Sequence, residues 1–242
     1  TSADKTFNYI PKLNKENFDG AASYFHITSN NTIYGTRYTA LPETGSVPLV
    51  SDISSCVLSE VMDVSKFGLL YAGAQKNMGP AGVTVVIIRE DLISSPLDIT
   101  PVMFNYEIHA KSSSLYNTPP TYAIYIVKLV LEWLKDLGGI RAMQEINEKK
   151  AGVLYDFLDE SEMFKGTVVK GDRSLMNIPF VAKNDELNNK FISLAKEAGF
   201  ENLKGHRTVG GMRASIYNAM PVQGVIDLVE FMKKFEKENK GV

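Results

Sequence analysis

Two residues able to do chemistry follow short apolar runs. Asp52 comes just after Val47 to Val50, and Lys76 comes just after Phe67 to Tyr71. Ligands of open α/β sheets bind at the carboxyl ends of strands, so both side chains are expected to project into one crevice. There a carboxylate can keep a ring nitrogen protonated, and a lysine can form an imine with an aldehyde. Those are the two protein groups that a pyridoxal phosphate enzyme needs. Small residues around the lysine, Gly79, Ala81 and Gly82, let a flat cofactor approach the backbone. Taken singly, each is more often a solvated side chain; only the pair points to this chemistry.

Other polar clusters flank the pair. Ser114 to Pro120 puts an amide, Asn117, and a hydroxyl, Thr118, ahead of an expected helix start. With helix N-terminal amides they form an anion site, and they serve equally as a plain helix cap. Lys204, His206, Arg207 and Arg213 gather positive charge, and Gly210 and Gly211 let the backbone turn between them. Such arginines suit bidentate binding of carboxylate or phosphate; they read as well as surface charges paired with glutamates. Lys233 to Glu238 reads as a solvated helix face. His26 and His109 are isolated, and three histidines with one cysteine give no metal-ligand spacing. Cys56 reads as buried rather than nucleophilic, and Trp133 as a core residue. The order GxxxxGK[ST] is absent, as is GxGxxG, which sets nucleotide loops aside.

The elements that must position these residues are legible as patterns. Val47 to Val50, Phe67 to Tyr71 and Val83 to Ile88 suit strands buried on both faces of a parallel or mixed sheet under helices. After Pro119 and Pro120, apolar residues at 124, 127, 131, 134 and 137 mark a helix that stops at Gly138 and Gly139. A second helix is expected over about 140–158. A strand over 176–181, a helix over 186–198, a short strand near Leu203, a strand over 213–217 and a last helix follow. That last helix carries Val225, Leu228, Met232 and Phe235 on one face. The pattern predicts an α/β chain with a larger unit over 1–138 and a smaller α/β unit over 139–242.

Composition narrows the function classes. The 242 residues carry 26 Lys plus Arg against 28 Asp plus Glu, a net charge of −2, which argues against non-specific nucleic-acid binding. One cysteine rules out an intrachain disulfide. No apolar run reaches the length of a membrane span, and residues 1–5 carry no signal pattern, so a cytoplasmic protein is expected.

Four segments, in order, are more specific than any single residue: Ala72-Gly-Ala-Gln-Lys-Asn-Met-Gly-Pro-Ala-Gly82, Tyr116-Asn-Thr-Pro-Pro120, Arg173-Ser-Leu-Met-Asn-Ile-Pro179 and Lys204-Gly-His-Arg-Thr-Val-Gly-Gly-Met-Arg-Ala-Ser-Ile-Tyr-Asn218. Together they resemble the phosphoserine aminotransferase family along nearly the whole chain. The resemblance implies a type I pyridoxal phosphate transferase fold, a homodimer with shared active sites, and amino transfer between L-glutamate and 3-phosphohydroxypyruvate. It implies that Lys76 bonds the cofactor and shuttles protons, and that Asp52 pairs with the pyridinium nitrogen. It implies that Thr32 meets the ring hydroxyl, and that Gln75 meets the cofactor phosphate. Asn117 and Thr118 would reach the phosphate of the partner subunit's cofactor. Arg213 would clamp the substrate carboxylate, with His206 and Arg207 holding the substrate phosphate from across the dimer.

The family has about a hundred further residues ahead of the equivalent of Thr1. They carry a small-residue phosphate loop, a ring-stacking aromatic and further substrate-phosphate ligands. The expectation is therefore a partial large domain with uncovered strand edges and apolar faces, not competent in turnover unless that segment is supplied. Two other readings are a related transaminase or desulfurase of the same fold, and a non-catalytic dimerisation module. The lone Cys56 and the basic cluster speak against desulfurase chemistry.

Overall fold

A computed structural model describes residues 1–93 and 96–240. The strands and α-helices run β1 (Phe25–Thr28), β2 (Leu49–Asp52), β3 (Leu69–Gly73), β4 (Thr84–Ile88), α1 (Tyr106–Lys111), α2 (Thr121–Asp136), α3 (Gly139–Glu160), β5 (Phe164–Gly166), β6 (Asn177–Ala182), α4 (Asp185–Glu197), β7 (Met212–Ser215) and α5 (Val222–Glu238). The first four strands form one sheet in the order β1-β2-β3-β4, and the other three form a second, β5-β6-β7. β1, β2 and β3 are parallel, with Thr28, Asp52 and Tyr71 abreast; β4 closes the edge antiparallel to β3. The smaller sheet is antiparallel, with Pro179 opposite Arg213. This is the expected α/β architecture with a mixed sheet.

β2 and β3 are not buried on both faces as their apolar runs predicted. Their burial alternates, with Leu49, Ser51, Leu70 and Ala72 inward, the period of two natural to a pleated strand. β4 departs further: it pairs on one side only and leaves Val86 and Ile87 exposed. β1 and β5 are not expected from the sequence, because four residues of Phe-His-Ile-Thr and three of Phe-Lys-Gly carry too little pattern. The strand expected near Leu203 reduces to a single bridge from Lys204 to Met212.

α2 forms where the period placed it, but packs through Ala123, Val127 and Leu134. Ile124, Leu131, Leu137 and Trp133 stay exposed, so Trp133 is not a core residue. The helix is apolar on more than one face, and periodicity alone does not say which stripe packs. With Val86, Ile87, Tyr122, Tyr125 and Leu129 these side chains make up much of the exposed apolar surface expected of the large unit.

Around the second sheet the pattern holds. α5 buries Val225, Leu228, Val229, Met232 and Phe235. Phe164, Phe191 and Phe235 meet edge-on or tilted, with ring centroids 5.0 Å apart for Phe164 and Phe191 and 5.2 Å for Phe191 and Phe235. Glu236 is not a solvated side chain like its neighbours. Its carboxylate accepts from the Ser161 hydroxyl and from the amides of Glu162 and Met163, securing the turn from α3 into β5.

Candidate active site

Because β1, β2 and β3 are parallel, their carboxyl ends share one edge of the sheet. Asp52 is the last residue of β2; its Oδ1 accepts the Ser54 amide at 2.8 Å. Its other oxygen makes no hydrogen bond among the described residues. Lys76 lies in the turn after β3. There the amides of Met78 and Gly79 both donate to the Ala74 carbonyl at 2.9 Å. The Gly73 amide donates to Ser54 Oγ at 3.0 Å, so the turns bearing Asp52 and Lys76 are joined. Gly79 has φ +156°, and a Cβ there would lie 3.2 Å from Val127 Cγ2; the glycine lets α2 approach the lysine turn.

The second sheet brings its residues to the same edge. Arg213 Nη1 donates to the Thr32 carbonyl at 3.1 Å, while its Nε is buried with no partner among the described residues. Lys76 Nζ donates to the Tyr217 hydroxyl at 3.2 Å. Thr32, Asp52, Lys76 and Arg213 thus share the edge that the sequence predicted for Asp52 and Lys76. Each is half-buried, open enough for a ligand to reach.

Five other expected residues are not drawn in by this single chain. Asn117 and Thr118 are exposed, and the Asn117 amide donates only to the neighbouring Thr118 carbonyl. They do not cap α2 either: its N-cap is Pro120, with no side-chain cap bond. Arg207 is exposed, and His206 Nδ1 pairs at 2.8 Å with Thr208 beside it. Gln75 is exposed next to Lys76. Gly210 and Gly211 do turn the backbone with φ of +75° and +60°, but Arg213 points inward while Lys204 and Arg207 face outward.

Behind these residues lies a buried polar spine that local sequence spacing does not reveal. Asn30 and Asn177 are essentially inaccessible. Asn30 Nδ2 donates to Ser55 Oγ at 2.8 Å and to Asn177 Oδ1 at 2.9 Å. Asn77, beside Lys76, donates to the Val57 carbonyl and accepts the Asn218 amide, both at 3.0 Å. Lys150 on α3 is fully buried; its Nζ donates to the carbonyls of Tyr217 at 2.8 Å and Met220 at 3.1 Å. Burial pushes the Lys150 amine down to about 8. The available signal was a polar residue inside an apolar run, as with Asn177 between Met176 and Ile178.

Cys56 is buried as expected, and burial pushes its thiol up to about 12, too inert for a nucleophile at neutral pH. Among the described residues no three of His, Cys, Asp and Glu gather as a metal site, and no helix is long and apolar enough to cross a membrane. The donor set fits the pyridoxal phosphate implied above. A carboxylate with one uncommitted oxygen, a primary amine and a buried, partnerless guanidinium nitrogen suit a basic ring, an aldehyde and an anionic substrate. A cavity of about 420 Å³ opens beside Lys76, lined by Asn77, Gly79, Leu129, Trp133 and Asn218.

The chain is similar to proteins of known family. The sequence model described as aminotransferase class-V matches residues 2–228. A phosphoserine aminotransferase of Bacillus cereus is 58% identical over 240 residues, covering 99% of this chain and 67% of that protein. Among solved structures, a phosphoserine aminotransferase studied for radiation damage of its Schiff base aligns with a TM-score of 0.93 at 50% identity, covering 98% of this chain and 66% of the other. A PLP-bound phosphoserine aminotransferase from Trichomonas vaginalis aligns with a TM-score of 0.82 at 38% identity, covering 87% of this chain and 60% of the other.

Proposed function

We propose that this chain, which belongs to the class-V aminotransferase family and spans about two thirds of the length of its relatives, supplies the lysine and the substrate-binding residues for transfer of an amino group from L-glutamate to 3-phosphohydroxypyruvate with pyridoxal phosphate, giving 2-oxoglutarate and O-phospho-L-serine once the segment that the family carries ahead of Thr1 is present. The observation that carries this reading is the shared sheet edge: Asp52, Lys76 and the Arg213–Thr32 pair stand together there. The cofactor supplies an aldehyde that exchanges with amines and a ring that withdraws electrons from the carbon losing its proton. Lys76 anchors it and, once free, moves a proton between substrate and cofactor carbons. Asp52 keeps the ring nitrogen protonated, and Thr32 meets the ring hydroxyl. Gln75 binds the cofactor phosphate, and Arg213 clamps the substrate carboxylate.

Asn117, Thr118 and Arg207 are exposed and His206 is half-buried in one chain, which supports a homodimer in which each chain completes the other's site, and we place it in the cytoplasm as a proposal. The dimer gives Asn117 and Thr118 the cofactor phosphate, and His206 and Arg207 the substrate phosphate. We also propose a division into 1–138 and 139–242. In support, the mixed sheet lies wholly before Gly138, the antiparallel sheet wholly after it, and Gly138 ends α2 with φ +107°.

Glutamate-dependent formation of the amino acid tests the function, with 3-phosphohydroxypyruvate compared against pyruvate. The reading expects the phosphorylated keto acid to be strongly preferred. Equal use of both acceptors would replace it with a general transaminase.

A further inference from the structure

Tyr217 is fixed at both ends. Its hydroxyl oxygen receives Lys76 Nζ and Asn177 Nδ2, each at 3.2 Å, and Lys76 Nζ also lies 5.6 Å from the centre of its ring. The orientation of Asn177 is not arbitrary. Its Oδ1 accepts from Asn30, which leaves Nδ2 to donate to Ser215 Oγ at 3.1 Å and to Tyr217. Asn30 is oriented in turn by the Ser174 hydroxyl, which donates to its Oδ1 at 2.5 Å. Both acceptor positions of the phenol oxygen are therefore used, one by the spine and one by Lys76. On the backbone side, Lys150 holds the Tyr217 carbonyl and Asn77 holds the amide of Asn218.

A lysine that bonds a cofactor during part of a cycle must be received somewhere when its amine is free. We propose that Tyr217 is the positioning residue for Lys76, its hydroxyl serving as the acceptor on which the free lysine amine is held within reach of the cofactor. The need for release rests on the amino-transfer reading above; the contact does not. A hydrogen bond to a charged donor is worth roughly tenfold or more in an equilibrium between held and released states.

The test uses Tyr217→Phe, which keeps the ring and its packing and removes the oxygen. In the cofactor-free chain, trace acetylation followed by peptide mass spectrometry compares Lys76 with the exposed Lys183 and Lys196. The proposal expects labelling of Lys76 to rise several-fold in the variant while the reference lysines stay constant. An unchanged Lys76 ratio overturns it. Should the variant not fold, 4-fluorophenylalanine at position 217 keeps nearly the same shape and puts a very poor acceptor in place of the hydroxyl, and a rise at Lys76 is expected; no rise overturns the proposal. With pyridoxal phosphate bound, the glutamate concentration that half-releases Lys76, read by absorbance, should increase about tenfold in Tyr217→Phe. If the chain supplied with the family's preceding segment captures no cofactor while the labelling change is seen, amino transfer fails as a reading and the hold of Tyr217 on Lys76 stands.

Discussion

Arg213 donates from Nη1 to the carbonyl of Thr32 at 3.1 Å, across 181 residues of sequence. One bond thus ties the strand expected to bind substrate to the loop expected to bind cofactor. The guanidinium spends a single nitrogen on it and keeps a buried, unpartnered Nε. Arg213→Lys removes the planar fork. KM for both glutamate and the keto acid should rise at least about tenfold, while capture of pyridoxal phosphate on Lys76 persists. Unchanged KM values would remove Arg213 from substrate binding.

Asp52→Asn preserves the acceptor that receives the Ser54 amide, so the fold should be unchanged by circular dichroism. The amide has no charge to offer a protonated ring nitrogen. Turnover should fall roughly ten- to hundredfold, the range of a charged hydrogen bond, with weaker cofactor retention on dialysis. Full retention and turnover would place the ring elsewhere.

Gly35 has φ +75°, and a Cβ there would lie 2.2 Å from Pro179 Cδ and 2.9 Å from the Asn177 carbonyl. Neither neighbour is a flexible side-chain end. Gly35→Ala should cost about 2–4 kcal/mol in urea unfolding. Gly45 also has a positive φ, +63°, but faces open space. Gly45→Ala should cost only about 1 kcal/mol, the backbone strain alone.

Lys150 sets a pH dependence of stability. Its amine is held at about 8 by burial, against 10.5 ordinarily. Between these values the unfolded chain binds more protons than the folded one, so the contribution of Lys150 to stability rises as pH increases through that window. Cys56 and Tyr155 act in the opposite sense: burial raises both, so the unfolded chain gives up their protons first and stability falls above about pH 9 to 10. The difference between the parent chain and Lys150→Met isolates the lysine. Denaturant unfolding should show the parent gaining on the variant from pH 8 upward; a flat difference would contradict it.

The sequence made the anchors of the site legible and left its support hidden, for a physical reason. Asp52 and Lys76 end apolar runs, and strand ends are where α/β sheets expose chemistry. The strands place Asp52 beside Tyr71, on the strand that leads to Lys76. Tyr217, Asn177 and Asn30 act through contacts spanning 141, 40 and 147 residues, which no local period encodes. Trp133 failed for a related reason: α2 offers more apolar surface than the described chain covers, so its exposed stripe reads like its packed one. β1, four residues with two polar side chains, is defined by its partner β2 rather than by itself.

The proposed function stands or falls on Lys76 as the amine that bonds the cofactor. Incubation with pyridoxal phosphate, reduction with borohydride and peptide mapping test it directly. A single cofactor-sized adduct on Lys76, lost in Lys76→Ala, is expected. An adduct on another lysine, such as Lys150, with Lys76 unmodified would contradict it.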